Sequence, residues 1–169
     1  MENSVIPNQP SELPPESRLM SSEFTPEERA RLADAQEGWP TQQECELLFL
    51  SFVRLMPKSD VAAASFYESL FAKHPEVRPL FPTSTREQEE KFMMMIAWIV
   101  EHLRNPDEMA KTCIELGERH RALGTKPAHY GPVGEILVET LKAYSDPPLS
   151  DAEIAAWGKL YGVLVRLMA

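Results

Sequence analysis

From Thr41 onward, apolar side chains recur at intervals of three and four, interrupted by prolines and by Ser/Thr-x-x-Glu signatures. A chain written this way buries one face of each of several α-helices, and it carries no period-two alternation from which strands could form. Thr25-Pro26-Glu27-Glu28, Thr41-Gln42-Gln43-Glu44 and Ser150-Asp151-Ala152-Glu153 each set a hydroxyl three residues before a glutamate, so that the two side chains satisfy backbone donors reciprocally at a helix start. No repeat period stands out. Six to eight helices of unequal length with short, proline-marked corners are expected. Long heptads are missing, so the chain reads as all-α with globular packing rather than an up-down coiled coil.

Residues 1 to 24 hold Pro7, Pro10, Pro14 and Pro15 among polar neighbours and read as a flexible arm. A short helix follows from Thr25 to Gly38, and Trp39-Pro40 breaks it. Residues 1 to 40 carry eight acidic against three basic side chains, so this extension accounts for −5 of the chain's formal charge of −9. We place the domain boundary here: an acidic, Pro-rich arm with a short helix over 1–40, and a single domain over 41–169.

Within the domain, Leu47, Leu48, Phe52 and Leu55 form one face up to Pro57. The next helix, from Ser59 or Asp60 to His74-Pro75, collects Ala63, Phe66, Tyr67, Leu70 and Phe71 on its inner side. Tight turns carry Val77, Leu80 and Phe81 to a corner at Pro82-Thr83-Ser84-Thr85. From Thr85 to Arg104 runs a helix with a stripe of Gln88, Phe92, Met95, Ile96, Ile99 and Leu103. It is apolar nearly all round at its centre and should be buried on more than one side. Lys126-Pro127 opens a further helix with Tyr130, Val133, Gly134, Leu137 and Leu141. The last one presents Ile154, Trp157, Leu160, Tyr161, Leu164 and Leu167.

The stretch from Asn105 to Tyr130 carries the chemistry. Asn105 is placed to cap, Pro106 suits a first helical turn, Glu108 is placed to reach back, and Gly124 is the natural stop. Met109, Cys113, Leu116, His120 and Leu123 share one face, while Lys111, Glu115, Glu118 and Arg121 share the other. His120 therefore faces whatever this helix packs on. A histidine on an apolar stripe is commonly a satisfied core residue. Tyr67 and Gln88 shift that reading, because an imidazole facing a phenol and an amide from other helices is what a haem pocket needs: one axial ligand and polar donors opposite. His74 and His102 lie near helix ends, and His129 is expected to be exposed. Met93, Met94 and Met95 read as adaptable core.

Composition narrows the partners. A formal charge of −9 and a pI near 5.0 leave no basic patch for nucleic acid or an anionic membrane, so a neutral or small partner is expected. Cys45 and Cys113 are far apart, form no metal-binding spacing, and sit at apolar helical positions, as reduced thiols do. The amino terminus shows no signal peptide, and the longest apolar run, Phe92 to Val100, is too short to span a bilayer. A cytoplasmic protein is expected.

Several blocks resemble a known family. Ser65-Phe66-Tyr67-Glu68-Ser69-Leu70-Phe71 with His74-Pro75 and Leu80-Phe81, then Leu116-Gly117-Glu118-Arg119-His120, then Pro127-Ala128-His129-Tyr130-Gly131-Pro132-Val133-Gly134-Glu135, and last Ala156-Trp157-Gly158-Lys159-Leu160-Tyr161-Gly162-Val163-Leu164 are similar, in this order and spacing, to bacterial single-domain globins and to the globin domain of flavohaemoglobins. The resemblance covers about residues 41 to 169 and implies the three-on-three helical sandwich of the globin fold, with an N-terminal extension.

Position by position, the resemblance makes His120 the proximal iron ligand of haem b, Phe81 the ring wedged against the macrocycle, Tyr67 and Gln88 the distal polar pair, and Phe92 the residue that closes the pocket. Lys91 and Lys126 are candidates to meet haem propionates, and Tyr130 to support the proximal ligand. The family's reductase segment, and a glutamate that joins the proximal histidine to Tyr130, do not fall within these residues, so peroxidase-like chemistry is not expected. The implied function is binding of O2, and of NO, at a pentacoordinate iron, with NO detoxification when a separate reductase supplies electrons. Two alternatives are a haem-based gas or redox sensor input domain acting on an output module, and a haem-free interaction module.

Overall fold

The computed structural model describes residues 24–81 and 84–169. The expected arm over residues 1 to 23 and the Pro82-Thr83 half of the corner lie outside them. The described residues form seven α-helices and no strand: α1 (Pro26–Glu37), α2 (Gln42–Leu55), α3 (Ser59–Lys73), α4 (Thr85–Glu101), α5 (Pro106–Ala122), α6 (Pro127–Tyr144) and α7 (Asp151–Met168), with short 3-10 segments at Met56–Lys58 and Pro75–Leu80. The all-α class is that of the sequence reading.

The starts are chemically specified. At Thr41 the hydroxyl accepts from the Glu44 N–H at 3.2 Å while the Glu44 carboxylate accepts from the Thr41 N–H at 2.7 Å. Thr25 with Glu28 and Ser150 with Glu153 repeat the pair. Asn105 departs from it. It occupies the cap position of α5, but its side chain makes no capping bond, and Glu108 turns instead towards His102, 3.9 Å from its Nε2.

α7 is the hub, packing on α1, α2, α5 and α6, while α3 packs on α4 and α6, and α2 also meets α4. Leu48, Phe66, Leu70, Met109, Ile136 and Leu160 fill the space between these layers, each at most 2 % exposed. Burying such a side chain contributes about 1.5–3 kcal/mol, so the core is distributed over all these helices rather than lodged in one. Polar groups pin the α2–α7 seam: the Arg54 guanidinium holds both oxygens of Glu153 at 2.8 Å, and the Trp157 indole donates to Ser51 Oγ at 2.9 Å.

Two expectations change on packing. α4 is not buried on several sides: Ile96, Ile99 and Val100 are its buried residues and Met94 is 72 % exposed, because its neighbours α2 and α3 leave one side uncovered. Leu123, placed on the inner stripe of α5, is 56 % exposed because the helix has ended at Ala122. The helix within residues 1–40 is packed onto the rest of the molecule, with Leu32 and Ala35 buried where α1 meets α5 and α7. The Trp39 indole fixes its exit by donating to the Leu103 carbonyl at 3.0 Å.

Candidate functional site

One half of the site is built on α5. His120 is half-buried in the last turn, and its Nδ1 lies 2.8 Å from the Leu116 carbonyl oxygen. A carbonyl only accepts, so Nδ1 carries the proton and Nε2 keeps the lone pair, the tautomer of a metal-ligating histidine. The chain then turns at Gly124, whose φ of 93° strains any residue with a Cβ. The Gly124 and Thr125 N–H groups close the helix end on the Arg121 and His120 carbonyls, each at 3.0 Å. This corner brings up α6, where the Tyr130 ring stacks near-parallel to His120 with centroids 6.5 Å apart. The Tyr130 hydroxyl is buried with no hydrogen-bond partner among the described residues, and burial pushes its pKa up.

α5 is also keyed to the end of α7. A Cβ on Gly117 would sit on the backbone of Met168, so only glycine lets the two helices approach one turn before His120. Arg121 then donates to the Met168 carbonyl at 2.9 Å. Where α7 meets α6, the Tyr161 hydroxyl donates to the Tyr130 carbonyl at 2.5 Å. Thus both residues beside His120 are tied to α7.

The other half comes from α3, the segment before the corner, and α4. Tyr67 is 4 % exposed, and its ring meets Phe81, Phe92 and Phe71 at centroid distances of 5.5, 5.7 and 5.8 Å. Phe66 stacks on Phe92 at 4.3 Å. Arg78 holds Phe81 in place, donating to its carbonyl at 2.8 Å while its guanidinium lies 4.8 Å over the Phe71 ring. The Tyr67 hydroxyl donates to the backbone carbonyl of Gln88 at 3.4 Å, a long bond for a hydroxyl donor. Burial raises the phenol's pKa further above its ordinary value of 10.0, so it remains a neutral donor at any physiological pH.

The halves approach each other through Leu80. Its Cδ2 would lie 3.6 Å from a Cβ on Gly124, which puts the segment carrying Phe81 beside the corner that follows His120. The structure therefore brings Tyr67, Phe81, Phe92 and the Gln88 backbone into one aromatic cluster and pairs His120 with Tyr130. It does not bring the two lysines to either group. Lys91 is ion-paired to Glu87 at 2.6 Å, and Lys126 is exposed at the start of α6. His129, expected to be exposed, is half-buried and accepts from the Lys126 N–H through Nδ1 at 3.0 Å.

The residues fit a flat iron macrocycle: one imidazole nitrogen with a free lone pair, aromatic faces at Phe81 and Phe92, a Tyr67 hydroxyl on a long bond, and a Tyr130 hydroxyl with no partner among the described residues. Sequence reasoning did not find Gly117, Arg121, Arg78 or Leu80. Gly117 within an amphipathic helix was the available signal, since a mid-helix glycine usually marks a close approach.

Known proteins place the chain. It is 27 % identical over 127 residues to the flavohemoprotein of Bacillus anthracis, covering 73 % of this chain and 31 % of that protein, and 27 % identical over 107 residues to the flavohemoprotein of Rhizobium meliloti, covering 62 % and 27 %. The chain thus spans less than a third of the length of these relatives. Among solved structures it shares the fold of a bacterial globin from Campylobacter jejuni (TM-score 0.65, 24 % identity, 76 % of this chain and 93 % of that one). It also shares the fold of a carbene transferase engineered from a provisionally named nitric oxide dioxygenase of Rhodothermus marinus (TM-score 0.68, 24 % identity, 76 % and 89 %). The globin family profile matches residues 64–168, the span that contains both halves of the site, and the chain belongs to the globin family.

Proposed function

We propose that this globin holds haem b through His120, binds O2 and NO, and, with one electron from a separate reductase, joins NO and O2 into nitrate (NO + O2 + e− → NO3−). The observation that carries the reading is the His120 ring, fixed through Nδ1 with Nε2 left as the ligating atom. Bound haem supplies a ferrous centre with one position open to diatomic gases. The chain supplies the rest. Phe81 and Phe92 exclude water from the ligand side, and Tyr67, on a weak 3.4 Å bond, can turn its hydroxyl from the Gln88 carbonyl towards a ligand that has gained negative charge. The Gln88 amide is assigned the second donor. The flavohemoprotein relatives support a haem-binding protein, and the Rhodothermus neighbour, named as a nitric oxide dioxygenase, supports the nitrate-forming chemistry.

The test is the visible spectrum of the purified chain and of His120→Ala. The wild type is expected to show the strong Soret band of a histidine-ligated haem and His120→Ala to lose it or shift it. A wild type that takes up no haem overturns the reading. NO consumption in the presence of O2 and an added reductase then checks the reaction itself.

A second reading, a sensor input domain, is favoured by the contact of Gly117 and Arg121 with Met168, which carries any displacement of α5 to the end of α7. Hydrogen exchange in the last turn of α7 with and without a gas ligand distinguishes the two: a ligand-dependent change supports a sensor, and an unchanged rate supports a catalyst or carrier.

A further inference from the structure

Beyond its polar first turn α2 carries more apolar side chains than the described residues cover. Cys45, Leu48, Phe52 and Leu55 face the core, with Ser51 beside them. On the opposite side Phe49, Leu50, Val53 and Met56 are each about half exposed, at 49 %, 54 %, 48 % and 47 %. Spacings of one, three and three place Phe49, Val53 and Met56 on one stripe with Leu50 at its edge, rather than scattered. An amphipathic helix on one surface needs a single apolar stripe, and this one carries a second beside it. Together the four expose roughly 400 Å² of apolar side chain, in the range where a monomer's largest patch usually has a function.

We propose that this stripe is a self-association surface, closed by α2 of a second copy of this chain running antiparallel across a two-fold axis near Val53. Charge argues for a second copy. Exposed Glu46 lies on the same stripe at its amino-terminal end, and exposed Lys58 lies just past its carboxy-terminal end. Their midpoint in sequence is residue 52, so a two-fold axis there sets Glu46 of each copy opposite Lys58 of the other, twice. A symmetric interface must be self-complementary in this sense. Size agrees as well: a stable pair buries about 800 Å² on each partner, of which an apolar centre of this extent and its polar margin are a fitting half. The strongly polar residues of α2 that serve the monomer, Arg54 and Glu44, are already engaged by Glu153 and Lys159 of α7 and do not compete for the seam.

The experiment is light-scattering mass and sedimentation on the purified full-length protein, from low to high micromolar concentration and at low and high salt. The wild type is expected to approach twice 19.1 kDa as concentration rises. Val53→Glu, an exposed position that leaves the fold intact by circular dichroism, is expected to stay at the monomer mass throughout. Glu46→Lys and Lys58→Glu should each weaken association roughly tenfold at low salt, since two facing pairs turn from attractive to repulsive. The double variant should recover it. A wild type that remains monomeric overturns the proposal, whether or not it binds neutral phospholipid vesicles. So does a dimer that Val53→Glu leaves unchanged, or one in which the charge-reversed double variant stays as weak as the single ones.

Discussion

The two halves of the candidate site are held in opposite ways. His120 sits on a 2.8 Å bond in a helix that Gly117 and Arg121 lock onto the end of α7, whereas the Tyr67 hydroxyl rests on a 3.4 Å bond among aromatic rings. An axial ligand must not move, because its direction sets where the metal lies. A donor to a gaseous ligand must move, because it needs one partner when the ligand is absent and another when it is present. The fixed half is built from backbone contacts and a glycine that no other residue replaces. The movable half is built from ring edges, which tolerate small rotations at little cost.

That contrast can be broken in three places. The largest effect lies outside both halves and serves as the reference. Arg54→Met leaves Glu153 buried without its partner and should cost about 3–5 kcal/mol, roughly 6–20 °C in Tm, while leaving ligand release unchanged. Acid sharpens this prediction. The hydrogen bonds from Arg54 hold the Glu153 carboxyl below its ordinary value of 4.5, so the stabilisation is present above about pH 4.5 and is lost as pH falls through the lowered folded value. The stability gap between wild type and Arg54→Met, followed by denaturant titration, should therefore narrow below that pH.

Next in size is Gly117→Ala. Its methyl would meet the Met168 backbone, which is not a flexible side chain, and the strain should cost about 1–3 kcal/mol. Unlike Arg54→Met, it should also shift the iron–imidazole stretching band of the loaded protein, because the displaced helix carries His120. A destabilised variant with an unshifted band would show that the α5–α7 lock does not set the ligand.

The smallest effect on stability belongs to Tyr67→Phe, which gives up one long bond. It should nonetheless speed O2 release roughly 10- to 100-fold, the worth of a hydrogen bond to a charged acceptor. An off-rate equal to that of the wild type would reverse the assignment of the movable half.

The legible and illegible parts of the sequence divide along the same line between local and long-range causes. Thr41 and Glu44 declare a helix start because both partners lie within one turn, and Tyr67 and His120 declare their direction because periodicity alone sets it. Asn105 misleads for the converse reason: its local pattern is right, but the backbone enters α5 at a φ of −119° and ψ of 73° and its side chain makes no capping bond. The bond between Arg54 and Glu153 joins residues 99 apart and has no local signal, and the mid-helix Gly117 marks a close approach without naming Met168, whose seat depends on how α7 lies across α5. In α2 periodicity assigned Leu47, Leu48, Phe52 and Leu55 to one face and left Phe49, Leu50 and Val53 without a place. Only the packing shows which of those residues the core leaves out.

The docking of α1 has a consequence for how the molecule is made. α1 leaves the ribosome first and packs on α7, which leaves it last, with more than a hundred residues between them. At the usual pace of synthesis, about 5–20 residues each second, Leu32 and Ala35 wait roughly 5–25 s for the α7 half of their partner surface, with α5 arriving sooner. The low hydrophobicity of α1, with four acidic side chains in twelve residues, then reads as protection during that wait: a helix that must linger at the exit tunnel is written to be soluble until α7 arrives.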